Sequence, residues 1–210
     1  MPKASAADIA SLREGVLIPL LEQGVDVVII AHSYGGVVAG GAAKDLDKPT
    51  RQAQGKTSGI VGLIYVAGNI TLESEALLDA IGGAYPPFIK IDKPSKGLAL
   101  IEPATDVLYN DVDRVLADEL ESQMQPHAYL AFETKATAPA WADKAFDERR
   151  VYVRTLDDTC NPLFVQDAWL EKTKVRWDVV DFKTGHMPFV TQPALLAGQI
   201  VKFVKGFLPV

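Results

Sequence analysis

An apolar β-branched run, Val27-Val28-Ile29-Ile30, leads through Ala31-His32-Ser33-Tyr34-Gly35-Gly36 into a helix-compatible segment. That order reads as a strand, a sharp turn and a helix, with a hydroxyl at the turn. Ala31, Ser33 and Gly35 form the pattern small-x-Ser-x-Gly, which differs from Gly-x-Ser-x-Gly only in its first residue. A serine held in such a strained turn projects its Oγ out of the sheet. Residues two positions away must be small, or their Cβ atoms collide. A strand feeding a helix in this way points to an α/β architecture.

The flanking chain alternates in the same sense. Ser5 reads as the N-cap of a first helix, with Asp8 near its positive end. Ile9, Leu12, Val16, Leu17 and Leu20 recur at helical spacing, Pro19 bends the last turns, and Gly24 stops the helix. Strand 26–31 and helix 34–44 follow, the helix thinned by Gly35, Gly36, Gly40 and Gly41. Residues 47–58, with Pro49 and Gly55, read as a loop. Ile60-Val61-Gly62-Leu63-Ile64-Tyr65-Val66 is continuously apolar, as suits a parallel strand covered on both faces.

Residues 69–150 break the alternation. Pro86, Pro87, Pro94 and Pro103 interrupt them, and a helix is expected near 111–124 with Val112, Val115, Leu116, Leu120 and Met124 on its apolar face. Its acids Asp111, Asp113, Asp118, Glu119 and Glu121 read as a solvated face. Alternation then returns with strand 151–155, helix 163–174, strand 175–182 and helix 193–207. The expected organisation is a core of residues 1–68 and 151–210 with an insertion at 69–150.

Composition removes several functions. The chain has 210 residues, a formal charge of −6 and a pI near 5.1, which argues against a general nucleic-acid binder. Its apolar runs are interrupted too soon to span a bilayer. Cys160 is the only cysteine, so no internal disulfide forms and a reducing compartment is allowed. The expectation is a soluble, cytoplasmic protein with no membrane partner.

A serine nucleophile needs a base and an acid, and the chain contains three histidines, His32, His127 and His186. His32 directly precedes Ser33, where the turn points its side chain away from Oγ. His127 lies inside the insertion. His186 follows a strand, and a loop at that sheet edge can deliver it to the serine. Asp157 and Asp158 follow the strand that ends at Thr155. The order Ser33, Asp158, His186 is one in which such triads occur. Glu73, soon after the strand ending at Val66, is a weaker substitute acid.

The chain resembles the α/β-hydrolase superfamily, most of all small esterases related to plant methyl esterases and hydroxynitrile lyases. Three stretches carry the resemblance: Ala31 to Gly36, Asp158 with Pro162 four residues on, and Gly185-His186-Met187-Pro188-Phe189. The resemblance implies an α/β-hydrolase fold, a mostly parallel sheet flanked by helices, with a lid at 69–150. It also favours Asp158 over Asp157, since Pro four residues after the acid is common there. It implies a serine hydrolase that acts on a small carboxylic ester or lactone through an acyl-enzyme, with no metal and no cofactor. Ser33 attacks, His186 moves the proton, Asp158 fixes the imidazole tautomer, and the Tyr34 amide stabilises the oxyanion.

His127, Trp141 and Met187 are the expected substrate contacts. Leu72, Leu77, Leu78, Ile81, Phe88 and Trp141 suggest an apolar lid and an apolar substrate. A lyase on the same scaffold is one alternative, although its cyanohydrin-cleaving relatives carry Lys where this chain has Met187. A non-catalytic or truncated relative is another.

Family members also carry a strand, a His-Gly-type oxyanion loop, a helix and a further strand ahead of the helix that here starts near Ala6. A βαβ unit needs roughly 30 residues or more, and only a few precede Ala6. The expected fold therefore lacks its N-terminal part, the nucleophile strand lies at a sheet edge, and the second oxyanion donor has no visible source. A truncated gene model, a fragment, a natural short form and part of an oligomer all fit. An open apolar edge invites pairing with another chain, here as a homodimer.

Overall fold

The computed structural model describes residues 4–208. Four strands form a parallel sheet in the order β1 (Val27–His32), β2 (Ile60–Val66), β6 (Arg150–Thr155), β7 (Asp178–Phe182). Because all four run the same way, the segments that follow them emerge along one edge of the sheet. Ser33, Asn69, Asp158 and His186 all lie in those segments, the usual place for ligands in open α/β sheets.

Alternate residues of the central strands supply two cores. Leu63, Tyr65 and Tyr152 pack with α1 (Ala4–Leu12), α3 (Gly35–Ala42), Trp169 and Trp177 on one face. Ile64, Val66, Val151 and Val153 pack with Leu196 and Phe207 of helix Pro193–Phe207 on the other. Gly62 is required by this second layer, because a Cβ there would lie 2.2 Å from the Phe207 ring.

Strand β1 has a strand neighbour on one side only among the described residues. Ile29 and Ala31 turn into the core, whereas Ile30 on the other face is 52% exposed. Between β2 and β6 the chain builds a separate antiparallel sheet of β3 (Ile89–Ile91), β4 (Leu98–Ile101) and β5 (His127–Ala128). No helix of the described residues is long and apolar enough to cross a membrane.

Several local expectations are corrected. Ser5 lies inside α1 and its hydroxyl is enclosed without a partner among the described residues, so it is not the N-cap. Pro19 does not simply bend the helix: residues Arg13–Leu17 widen into a π turn, with the Ile18 N–H donating to the Arg13 carbonyl, before α2 (Ile18–Glu22) continues. A proline lacks the N–H of a regular turn and crowds the carbonyl four residues back, and the wider turn relieves both. Residues 47–58 are not all loop. Asp47 caps α4 (Lys48–Ala53) by accepting the Thr50 N–H at 2.8 Å. The insertion helix spans Arg114–Ser122 and buries Ala117. Leu120 and Met124 pack on that cluster, but Val115 is 78% exposed, so the apolar face is narrower than its spacing suggested.

Candidate active site

Ser33 sits between β1 and α3 with φ +51°, a left-handed conformation that a β-substituted residue rarely adopts. Its backbone is pinned on three sides. Ser33 N–H donates to the Val66 carbonyl, and its own carbonyl accepts from Gly36 N–H at 2.9 Å and Asn69 N–H at 2.8 Å. These bonds, supplied by the end of β2 and the first turn of α3, hold the strained turn. The size limit falls on a different glycine from the one expected. A Cβ at Gly35 meets nothing within 4 Å, whereas one at Gly36 would lie 2.5 Å from the Asn69 carbonyl oxygen.

Asp158 and His186 meet. His186 Nδ1–H donates to Asp158 Oδ2 at 2.8 Å, with the histidine 1% and the aspartate 5% exposed. The carboxylate is fully engaged. Oδ2 also accepts the Thr155 hydroxyl at 2.7 Å, and Oδ1 accepts the backbone N–H groups of Cys160 and Asn161, each at 2.8 Å. Gln166 braces this turn through the Thr155 and Asn161 carbonyls. Asp157 is exposed, and so is Glu73; among the hydrogen bonds of the described residues, neither carboxylate pairs with the His186 ring. Among the hydrogen bonds of the described residues, none joins Ser33 Oγ to His186.

The loop that bears His186 is held from two further directions. His32 Nε2–H donates to the His186 carbonyl at 2.9 Å. Burial, and then the neighbouring His186, lower the His32 pKa to about 4, so its ring is neutral near pH 7. From the insertion, Asp111 Oδ2 accepts the Gly185 N–H and the Thr184 hydroxyl, each at 2.7 Å. Asp111 thus does more than solvate a helix face. The spacing of acids along a helix carries no sign of such a contact.

Ser33 and Tyr34 open onto a cavity of about 980 Å³. Leu77, Ile81, Phe88, Ile101, Phe132 and Phe164 give it an apolar wall drawn mainly from the insertion. The Tyr34 phenol donates to Asp8 at 2.7 Å, and its ring stacks near Phe132. Burial first, then that carboxylate, push the phenol well above its usual range. Of the expected substrate contacts, His127 lines the cavity, its Nε2 enclosed without a partner among the described residues and its pKa lowered by burial. Trp141 does not line it; the indole is core, packed near Trp177. Met187 does not line it either and packs instead against the cluster around Tyr109 and Ala117. Both corrections have one cause. An apolar side chain close in sequence to a site is as well satisfied by the nearest core as by a pocket. Asn69 was missed, because a lone asparagine after a strand reads as a turn residue.

A strained serine after an edge strand, with a buried Asp–His pair on the segments that follow β6 and β7, places the protein among α/β enzymes of the hydrolase type. The chain belongs to the alpha/beta hydrolase family, whose model matches residues 3–199. It is 25% identical over 195 residues to an alpha/beta hydrolase of Aspergillus novofumigatus, covering 92% of this chain and 75% of that one. It is 26% identical over 187 residues to a carbendazim hydrolyzing esterase of a Nocardioides species, covering 83% and 70%. Among solved structures it superposes on a pyrethroid hydrolase of Sphingobium faniae with a TM-score of 0.68 at 20% identity, over 94% of this chain and 78% of that one. A methylesterase of Arabidopsis gives a TM-score of 0.63 at 18% identity, over 98% and 81%.

Proposed function

We propose that the protein is a serine esterase for apolar carboxylic esters or lactones, working through Ser33, His186 and Asp158. The observation that carries this reading is the buried hydrogen bond between His186 Nδ1 and Asp158. With Nδ1 so occupied, Nε2 is the nitrogen left to take the Ser33 proton. The relay closes when Ser33 Oγ turns toward His186 Nε2, as catalytic hydrogen bonds commonly tighten only with substrate bound. Ser33 Oγ then attacks the carbonyl carbon while its proton passes to His186. The backbone N–H of Tyr34 at the start of α3 donates to the developing oxyanion. His186 returns the proton to the leaving alcohol, and water releases the acid from the acyl-enzyme by the same steps.

The apolar cavity supports a bulky hydrophobic substrate. So do the names of relatives that hydrolyse pyrethroids and carbendazim. Residues 69–150 supply most of that wall and are read as a lid, with His127 as its polar substrate contact. A single cysteine and the absence of a membrane-crossing helix among the described residues are compatible with a cytoplasmic location. Treatment with a fluorophosphonate probe followed by intact mass measurement tests the reading. One adduct on the wild-type chain and none on Ser33→Ala is expected. Labelling that survives Ser33→Ala, or a wild-type chain that takes no label, sinks it.

A further inference from the structure

Few polar side chains line the cavity, and most of those are spent within the fold. Asp8 accepts the Tyr34 phenol, the Thr159 hydroxyl donates to the carbonyls of Asp106 and Val107, and the Asn161 carboxamide donates to the Ala67 carbonyl. Asn69 is different. It lines the cavity and is 5% exposed, and its carboxamide makes no hydrogen bond with another described residue. Largely buried yet not sealed from the cavity, such an amide is open to a ligand or water. The backbone of Asn69 is fixed against the serine turn by its N–H on the Ser33 carbonyl and by its own carbonyl against Gly36. Its side chain is therefore held within a few atoms of the reacting serine.

We propose that Asn69 is a specificity-determining residue: its Nδ2–H donates to an oxygen on the acyl side of the substrate, close to the scissile carbonyl. The substrate class that follows is a bulky apolar ester bearing an ether, carbonyl or similar acceptor oxygen near the ester carbon. Hydrocarbon fills the remaining wall of Ile81, Phe88, Ile101 and Phe132. Few polar groups placed in an apolar pocket fix orientation in this way. A site built around such a donor discriminates against the analogue that lacks the acceptor, because the donor is then left unpaired. The inference rests on the esterase reading and adds the substrate class to it.

Two esters of equal shape test it: p-nitrophenyl methoxyacetate and p-nitrophenyl butyrate, which differ by an oxygen in place of a methylene. Their intrinsic reactivities differ, but that difference cancels when the kcat/KM ratio of a variant is divided by the wild-type ratio. In Asn69→Leu and Asn69→Ala the methoxyacetate-to-butyrate ratio should fall about tenfold, the scale of one lost hydrogen bond. The butyrate, which lacks the acceptor oxygen, is the internal reference within each variant. An unchanged ratio in either active variant overturns the inference and leaves the esterase reading standing. If both variants fail to fold, Asn69 is structural and the inference is likewise wrong. A wild-type chain that hydrolyses neither ester and takes no label overturns the esterase reading, and this inference with it.

Discussion

His32 Nε2–H donates to the carbonyl oxygen of His186 at 2.9 Å, with the two rings 4.6 Å apart and inclined at 54°. The residue just before the serine therefore braces the loop of the residue proposed as its base. Phe189 closes the other side of His32, edge-on at 5.0 Å. His32→Ala should leave Ser33 in place but loosen His186. Turnover of a p-nitrophenyl ester should fall about tenfold with KM little changed, since small misplacements of a catalytic group are costly. His32→Gln, which keeps a donor, should recover part of the loss. Steady-state kinetics of both variants decide it, and equal turnover in wild type and His32→Ala would show that the brace is dispensable.

The same burial makes stability depend on pH. The fold holds His32 neutral down to about pH 4, whereas the unfolded chain takes up that proton near the usual 6.5. Between those values the unfolded state binds more protons, so stability falls as pH falls. Its full contribution is present above about pH 6.5, and the loss is about 1.4 kcal/mol per pH unit for one such proton. Urea melts from pH 4 to 8 should show this slope, and His32→Gln should flatten it. A variant with the wild-type slope would assign the effect to other groups.

Asp158 and Asp157 are adjacent but should behave very differently. Asp158→Asn removes the carboxylate that orients His186, and by analogy with other triads turnover should drop on the order of 10³–10⁴-fold. Asp157→Asn alters an exposed side chain and should change turnover less than twofold, in line with other surface substitutions. Comparable losses in the two variants, measured with one ester, would contradict the assignment.

Gly36 and Gly35 form a second discriminating pair. Gly36→Ala would drive a Cβ into the Asn69 backbone at 2.5 Å, whereas Gly35→Ala enters open space. The first should cost about 1–3 kcal/mol, the usual scale of overpacking, and should abolish fluorophosphonate labelling. The second should keep both stability and labelling. Thermal melts with parallel labelling check the contrast, and a stable, fully labelled Gly36→Ala would mean that the turn can relax.

The open edge of β1 should make the chain self-associate, and we propose a homodimer paired along it. Among the described residues the outward backbone groups of β1 lack a strand partner, and Ile30 is exposed beside them. Light scattering coupled to size-exclusion chromatography should show a concentration-dependent dimer, and Ile30→Lys should shift it toward monomer. A strictly monomeric wild-type chain across the concentration range would refute the pairing.

The serine turn was legible because its causes are local. A β-branched run, small neighbours and a helix-compatible segment act within ten residues, and the positive φ of Ser33 follows from them. The continuous apolar run at β2 likewise announced a buried parallel strand, since burial on both faces removes the alternation of a half-exposed strand. Neighbours brought together across the sheet were not legible in the same way. Trp141 went to the core, Asn69 came to the serine, Asp111 reached from the insertion to Gly185, and Gly36 took the steric burden expected of Gly35. In each case the deciding contact joins segments far apart in the chain, and its geometry depends on the order β1-β2-β6-β7. By itself the sequence determined where strands, turns and chemically able side chains lie along the chain, because backbone preference and hydrophobic period are short-range. Only the tertiary structure decided which of those side chains share a space, because close packing is settled by the assembled layers and not by any one segment.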